Sequence, residues 1–159
     1  MRSLALAALL VPALLAADPE YRPARTTDLP GVWMVVAMAT SAPPDPDDKT
    51  FAPYQIFGFD RQGGMKHMTS TKPFREGQIA LFNAAPQVTR YSVEKDGTLV
   101  LSNPSWDVPL KYQCRVVVKA DAAADAAADA KSPQAGDVLL VSMDDQGREA
   151  WSKLLRKVP

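Results

Sequence analysis

One cysteine and one histidine, Cys114 and His67, are all that this chain of 159 residues offers of the two side chains on which most metal centres and nucleophilic triads are built. A lone cysteine excludes an intramolecular disulfide and a Cys-x-x-Cys redox pair. A lone histidine excludes a His-rich zinc site and leaves any catalytic triad short of partners. Gly-x-Ser-x-Gly, a phosphate-cradling Gly-rich loop and His-Glu-x-x-His are also missing. The carboxylates cluster in loop-like segments, which gives no reason to pair them across a cleft. The expectation is a protein that is not an enzyme and carries no cofactor.

Charge of one sign is lacking as well, with 18 basic residues against 18 acidic ones. Such a surface gives no electrostatic reason to bind nucleic acid or anionic lipid. No apolar run reaches the roughly 20 residues of a membrane span. The longest, Leu4 to Leu15, follows Met1 and Arg2 and ends in Ala16-Ala17 before polar Asp18-Pro19-Glu20. That layout predicts a cleaved secretory signal over residues 1–17 and a periplasmic or secreted protein. The remainder suits one hydrophobic core, divided into an N-terminal extension at 18–30 and a single domain at 31–159.

What the chain does have is turn chemistry. Asp60-Arg61-Gln62-Gly63-Gly64, Lys95-Asp96-Gly97 and Asp144-Asp145-Gln146-Gly147 each place Gly where a hairpin needs positive φ, between runs rich in β-branched or aromatic residues. The runs are Tyr54 to Phe59, Met65 to Ser70, Val88 to Glu94, Thr98 to Ser102, Asp137 to Met143 and Arg148 to Lys157; Val32 to Ala39 and Leu110 to Lys119 make eight. Short connections favour antiparallel neighbours, so the expected fold is all-β: an eight-stranded antiparallel up-and-down barrel, closed because closure removes exposed edges. One short helix is expected over Glu76 to Ala84. Pro43, Pro44, Pro46 and Pro53 stiffen the first connection. Residues 120–136 form a low-complexity Ala/Asp insert.

Gly31-Val32-Trp33 opens the first of these strands, and Arg156 stands near the end of the last. Together with an eight-stranded meander they resemble the lipocalin and lipocalin-like group of small secreted barrels, in particular small bacterial lipocalin-like proteins. In that group the Gly-x-Trp motif sits at the closed base, and an Arg from the last strand lies over the Trp ring. The resemblance gives Gly31, Trp33 and Arg156 this structural role. With Trp33 at the base, direction alternates along the chain, so the Pro-rich loop and the helix are expected at the open mouth and the Ala/Asp insert at the base.

The resemblance and the lining pattern point to a small apolar or amphipathic ligand inside the barrel. Period-two alternation turns Trp33, Val35 and Ala37 inward, with Tyr91, Tyr112 and Cys114; Met65 and His67 are the soft and polar contacts. The expected ligand set is thus Val35, Ala37, Met65, His67, Tyr91, Tyr112 and Cys114, although Cys114 reads first as a small buried hydrophobe and only second as a ligand-binding thiol. Two alternatives stand beside it. Met34, Val36 and Met38 make the other face of the first strand apolar, so either the segment Lys72 to Pro86 covers that face or a protein partner does, in an envelope interaction or inhibitor module with a filled barrel. Met65-Lys66-His67-Met68 combines thioethers with an imidazole, a donor set suited to copper or haem.

Overall fold

The computed structural model describes residues 18–43, 47–120 and 131–159. The signal expected over 1–17, the middle of the Pro-rich loop and most of the Ala/Asp insert lie outside the described residues. Among the described residues, nine strands and one α-helix follow in chain order: β1 (Glu20–Pro23), β2 (Gly31–Thr40), β3 (Tyr54–Phe59), β4 (Gly64–Ser70), α1 (Glu76–Ala84), β5 (Thr89–Val93), β6 (Thr98–Ser102), β7 (Leu110–Lys119), β8 (Val138–Met143) and β9 (Glu149–Lys157).

Strands β2 to β9 pair in order, all antiparallel, and β9 returns to β2, closing an eight-stranded barrel. The seam runs from Trp33 opposite Lys157 to Thr40 opposite Trp151. β1, which no alternation in Glu20-Tyr21-Arg22-Pro23 predicts, is a short ninth strand on β7, where it meets Arg115 to Lys119. The residues after it cross the floor. Ala24 and Leu29 are each 1% exposed within the core, and Ala24 N donates to Cys114 O.

Trp33 stands on that floor, 3% exposed, its indole Nε1 donating to Leu29 O at 2.7 Å. The cation over the ring is Lys157, whose Nζ lies 5.5 Å from the centroid, and not Arg156. Register explains the correction. Cross-strand partners share a face, and Trp33 is opposite Lys157 while Arg156 is opposite Met34, one step out of phase. Arg156 instead grips buried Asp137 with Nη2 at 2.7 Å and Nε at 3.1 Å, and donates to Ser132 O. Gly31 makes room for Lys157: at φ 138° it occupies a region that disfavours side chains, and a Cβ there would collide with the lysine stem.

A second correction concerns Ala37. The β2–β9 ladder slips between Val35, opposite Leu155, and Ala37, opposite Leu154. This bulge at Val36 reverses the facing of everything after it. Ala37 falls opposite outward-facing Leu154, whereas Met38 falls opposite Lys153, which lines the interior, and its Sδ lies 3.4 Å from Gln55 Nε2.

The helix occupies the expected residues but a different place. β4 and β5 share only two pairs, Gly64–Arg90 and Met65–Thr89, so β5 begins far from the mouth and the connection must descend the outer wall to reach it. α1 therefore packs on the outside of β3 and β4 instead of standing at the mouth. Phe82 is 3% exposed, and Gly58 permits its approach: a Cβ there would lie 3.1 Å from Phe82 Cζ. Gln78 Oε1 accepts from Arg75 N at the helix start, and Lys66 Nζ donates to Asn83 O at its end, where a cation suits the free carbonyls. Phe74 and Ile79 of the same segment line an exterior groove together with Met34 and Ile56 of the outer wall.

Candidate functional site

Above the floor the barrel encloses a cavity of about 450 Å³. Its walls are apolar in the main: Phe57 and Phe59 from β3, Leu99 and Leu101 from β6, Leu140 from β8. Toward the mouth it is bounded by Trp106, Trp151 and the turn Lys49–Phe51. Strand alternation places these side chains, since each of these strands gives every second residue to the interior.

Of the residues expected to contact a ligand, Met65, His67 and Tyr112 line this cavity. Tyr112 is tilted against Trp151 at 5.2 Å, and burial raises its hydroxyl above the usual tyrosine range. Val35, Tyr91 and Cys114 pack in the core without reaching the cavity lining. Tyr91 sets its ring edge-on to Phe59 at 5.0 Å and donates its hydroxyl to Asp60 O at 2.6 Å. Cys114 is fully buried, its thiol pushed up to about 12 by burial, and so behaves as an inert apolar group. Met68, on the opposite parity from Met65 and His67, faces the wall beside α1. Among the described residues no group of three or more His, Cys, Asp or Glu side chains converges on a point that could hold a metal ion.

The polar part of the site is a chain of three side chains. Gln55, fully buried, donates Nε2 to the carbonyls of Thr50 and Ala52 at 2.7 and 2.9 Å. With those hydrogens committed, Oε1 must face inward, where it accepts from Lys153 Nζ at 2.9 Å and from His67 Nε2 at 3.3 Å. His67 is thereby fixed as the Nε2–H tautomer, its ring stacked on Phe57 at 4.1 Å. Surrounding protein, and then the Lys153 charge, lower its pKa to about 4, so it is neutral at pH 7. Its ring still meets the water of the cavity, which weakens the energetic weight of that shift. Lys153 is 3% exposed, with Nζ 4.5 Å from the Trp151 centroid; burial lowers its pKa to about 8, partly countered by Asp48.

Neither Lys153 nor Gln55 emerges from motif or cluster reasoning, yet both carried a signal. Lys153 stands between Trp151 and Leu155, and Gln55 two before Phe57 and four before Phe59, so each is a polar residue on an apolar parity. No helix among the described residues is long and apolar enough to cross a membrane. No family model, no curated protein and no solved structure matches this chain.

Proposed function

We propose that this chain is an exported, lipocalin-like binding protein that takes a small apolar or amphipathic molecule into the barrel through its open end, and that it acts by binding and not by catalysis. The observation that carries this reading is the cavity of about 450 Å³, within the size range of small-molecule pockets and lined mainly by apolar and aromatic groups with a few polar ones. An eight-stranded barrel can equally be plugged by its own side chains. Here the interior above Trp33 is left unfilled, at a cost in lost packing that a ligand would recover. A filled barrel working through its exterior fits less well, because α1 already buries Phe82 against part of the outer wall at Gly58.

Titration with a dye that brightens in apolar surroundings tests the proposal. Wild-type protein is expected to bind the dye and release it to decanol. Thr69→Trp, which places an indole in the upper cavity from a half-buried position, is expected to lose both responses while keeping the fold. Equal dye response in the two proteins, or none in either, removes the cavity as the binding site.

A further inference from the structure

Among the described residues the cavity lining contains two ammonium groups, Lys49 and Lys153, and no carboxylate. Lys49 is at the exposed mouth, where water solvates it, but Lys153 is not. An ammonium carries three N–H donors, and the hydrogen bond that Lys153 makes is to Gln55 Oε1. The ion pairs of the described residues lie elsewhere: Arg22–Asp28, Asp144–Arg148 and Asp137–Arg156. Asp48 acts on Lys153 only from a distance and already accepts from Thr50 N. A buried cation without an anionic partner is unfavourable unless something supplies the missing charge. Gln55 cannot supply it, being neutral and locked in place by Thr50 and Ala52.

We infer that the barrel selects amphipathic anions, with the ligand's head group accepting hydrogen bonds from Lys153 Nζ and its apolar body lying on Phe57, Met65 and Leu101. This rests on the cavity being the binding site proposed above. A carboxylate is the simplest head group of this kind. Neutral His67, held by its Nε2–H to Gln55, adds no second charge, so one anion balances the site. The pairing is charge-assisted, and such bonds are stronger than neutral ones.

Calorimetric titration of the full chain with decanoate, decanol and decyltrimethylammonium, three ligands of one chain length and different head charge, tests the inference. Decanoate is expected to bind wild-type protein roughly ten-fold or more tightly than decanol, the span of one charged hydrogen bond, with the cation weakest. Lys153→Met is expected to cost decanoate roughly that factor and decanol much less, and Lys153→Arg to retain the preference. Equal binding of decanoate and decanol by wild-type protein, or a preference that survives in Lys153→Met, overturns the anion site while leaving the barrel a binder. Failure of all three ligands overturns the binding reading and this one with it. The wild-type comparison decides the matter even where a variant fails to fold.

Discussion

Lys153 should announce itself in the pH dependence of stability. Its ammonium loses a proton at about 8 in the folded chain against 10.5 when exposed, because burial disfavours the charge. Between those values the unfolded chain holds more protons, so the free energy of unfolding contributed by this group rises with pH; below about 8 the burial penalty is fully present. That penalty is about 3–4 kcal/mol at most, from about 1.4 kcal/mol per pKa unit. Lys153→Met is therefore expected to be more stable than wild type at pH 7, with the difference shrinking by pH 9.5 in denaturant unfolding. Buried Tyr91 and half-buried Tyr112 act oppositely but only above about 10, where raised folded values cost stability. His67 works at the acid end. Its folded value of about 4 lies below the exposed value of 6.5, so its contribution is complete above 6.5 and is lost as pH falls toward 4. His67→Phe, which keeps the stack on Phe57, is expected to flatten the loss of stability over that interval. A fall as steep as wild type would show that the imidazole is not held neutral.

At the scale of elements, the outer helix gives a matched pair of glycine predictions. Gly77 in the first turn of α1 has nothing within 4 Å of where a Cβ would lie, so Gly77→Ala should stabilise by about 0.5–1 kcal/mol through helix propensity. Gly58→Ala should destabilise by about 1–3 kcal/mol, because its Cβ would meet Phe82 and the Lys66 stem at 3.1 and 3.2 Å. Opposite signs in urea unfolding are the expected outcome, and a neutral Gly58→Ala would show that α1 does not press on β3. The strands and the helix were legible because turn glycines and alternating runs mark their ends. β1 was not, since four residues of mixed character carry no period. The bulge in β2 escaped for a different reason. Val32 to Met38 is apolar on both faces, so its sequence holds no parity to betray a slip, and simple alternation turns Ala37 inward. β9 does hold parity: Trp151, Lys153 and Leu155 set the inward phase, which carries Lys157 to Trp33 and leaves Arg156 outside. The family resemblance favoured an arginine, whereas counting along the strand favours the lysine. How far the helix descends depends on a two-pair ladder between β4 and β5, a long-range contact that no local pattern encodes.

The whole molecule has a direction. Its floor is sealed by Trp33, Leu29 and the chain that crosses beneath them, and its mouth is framed by Trp106, Trp151 and the 49–51 turn. The three tryptophans of the chain therefore report on two different places. An indole emits according to the polarity around it, so a ligand entering the cavity should perturb Trp151, whose ring already packs on Tyr112 and faces Lys153. Trp33 makes its hydrogen bond to Leu29 O outside the cavity lining and should be indifferent to filling. Trp33→Phe leaves a buried carbonyl without its donor and should lose about 1–3 kcal/mol of stability while keeping the fluorescence response to decanoate. Trp151→Phe, combined with Trp106→Phe, should lose that response with stability less affected, because both indoles are partly exposed at the rim. If the response followed Trp33 instead, the ligand would be entering from the floor. The polarity assigned to the barrel, and with it the place of Lys153 beneath the mouth, would then have to be reversed.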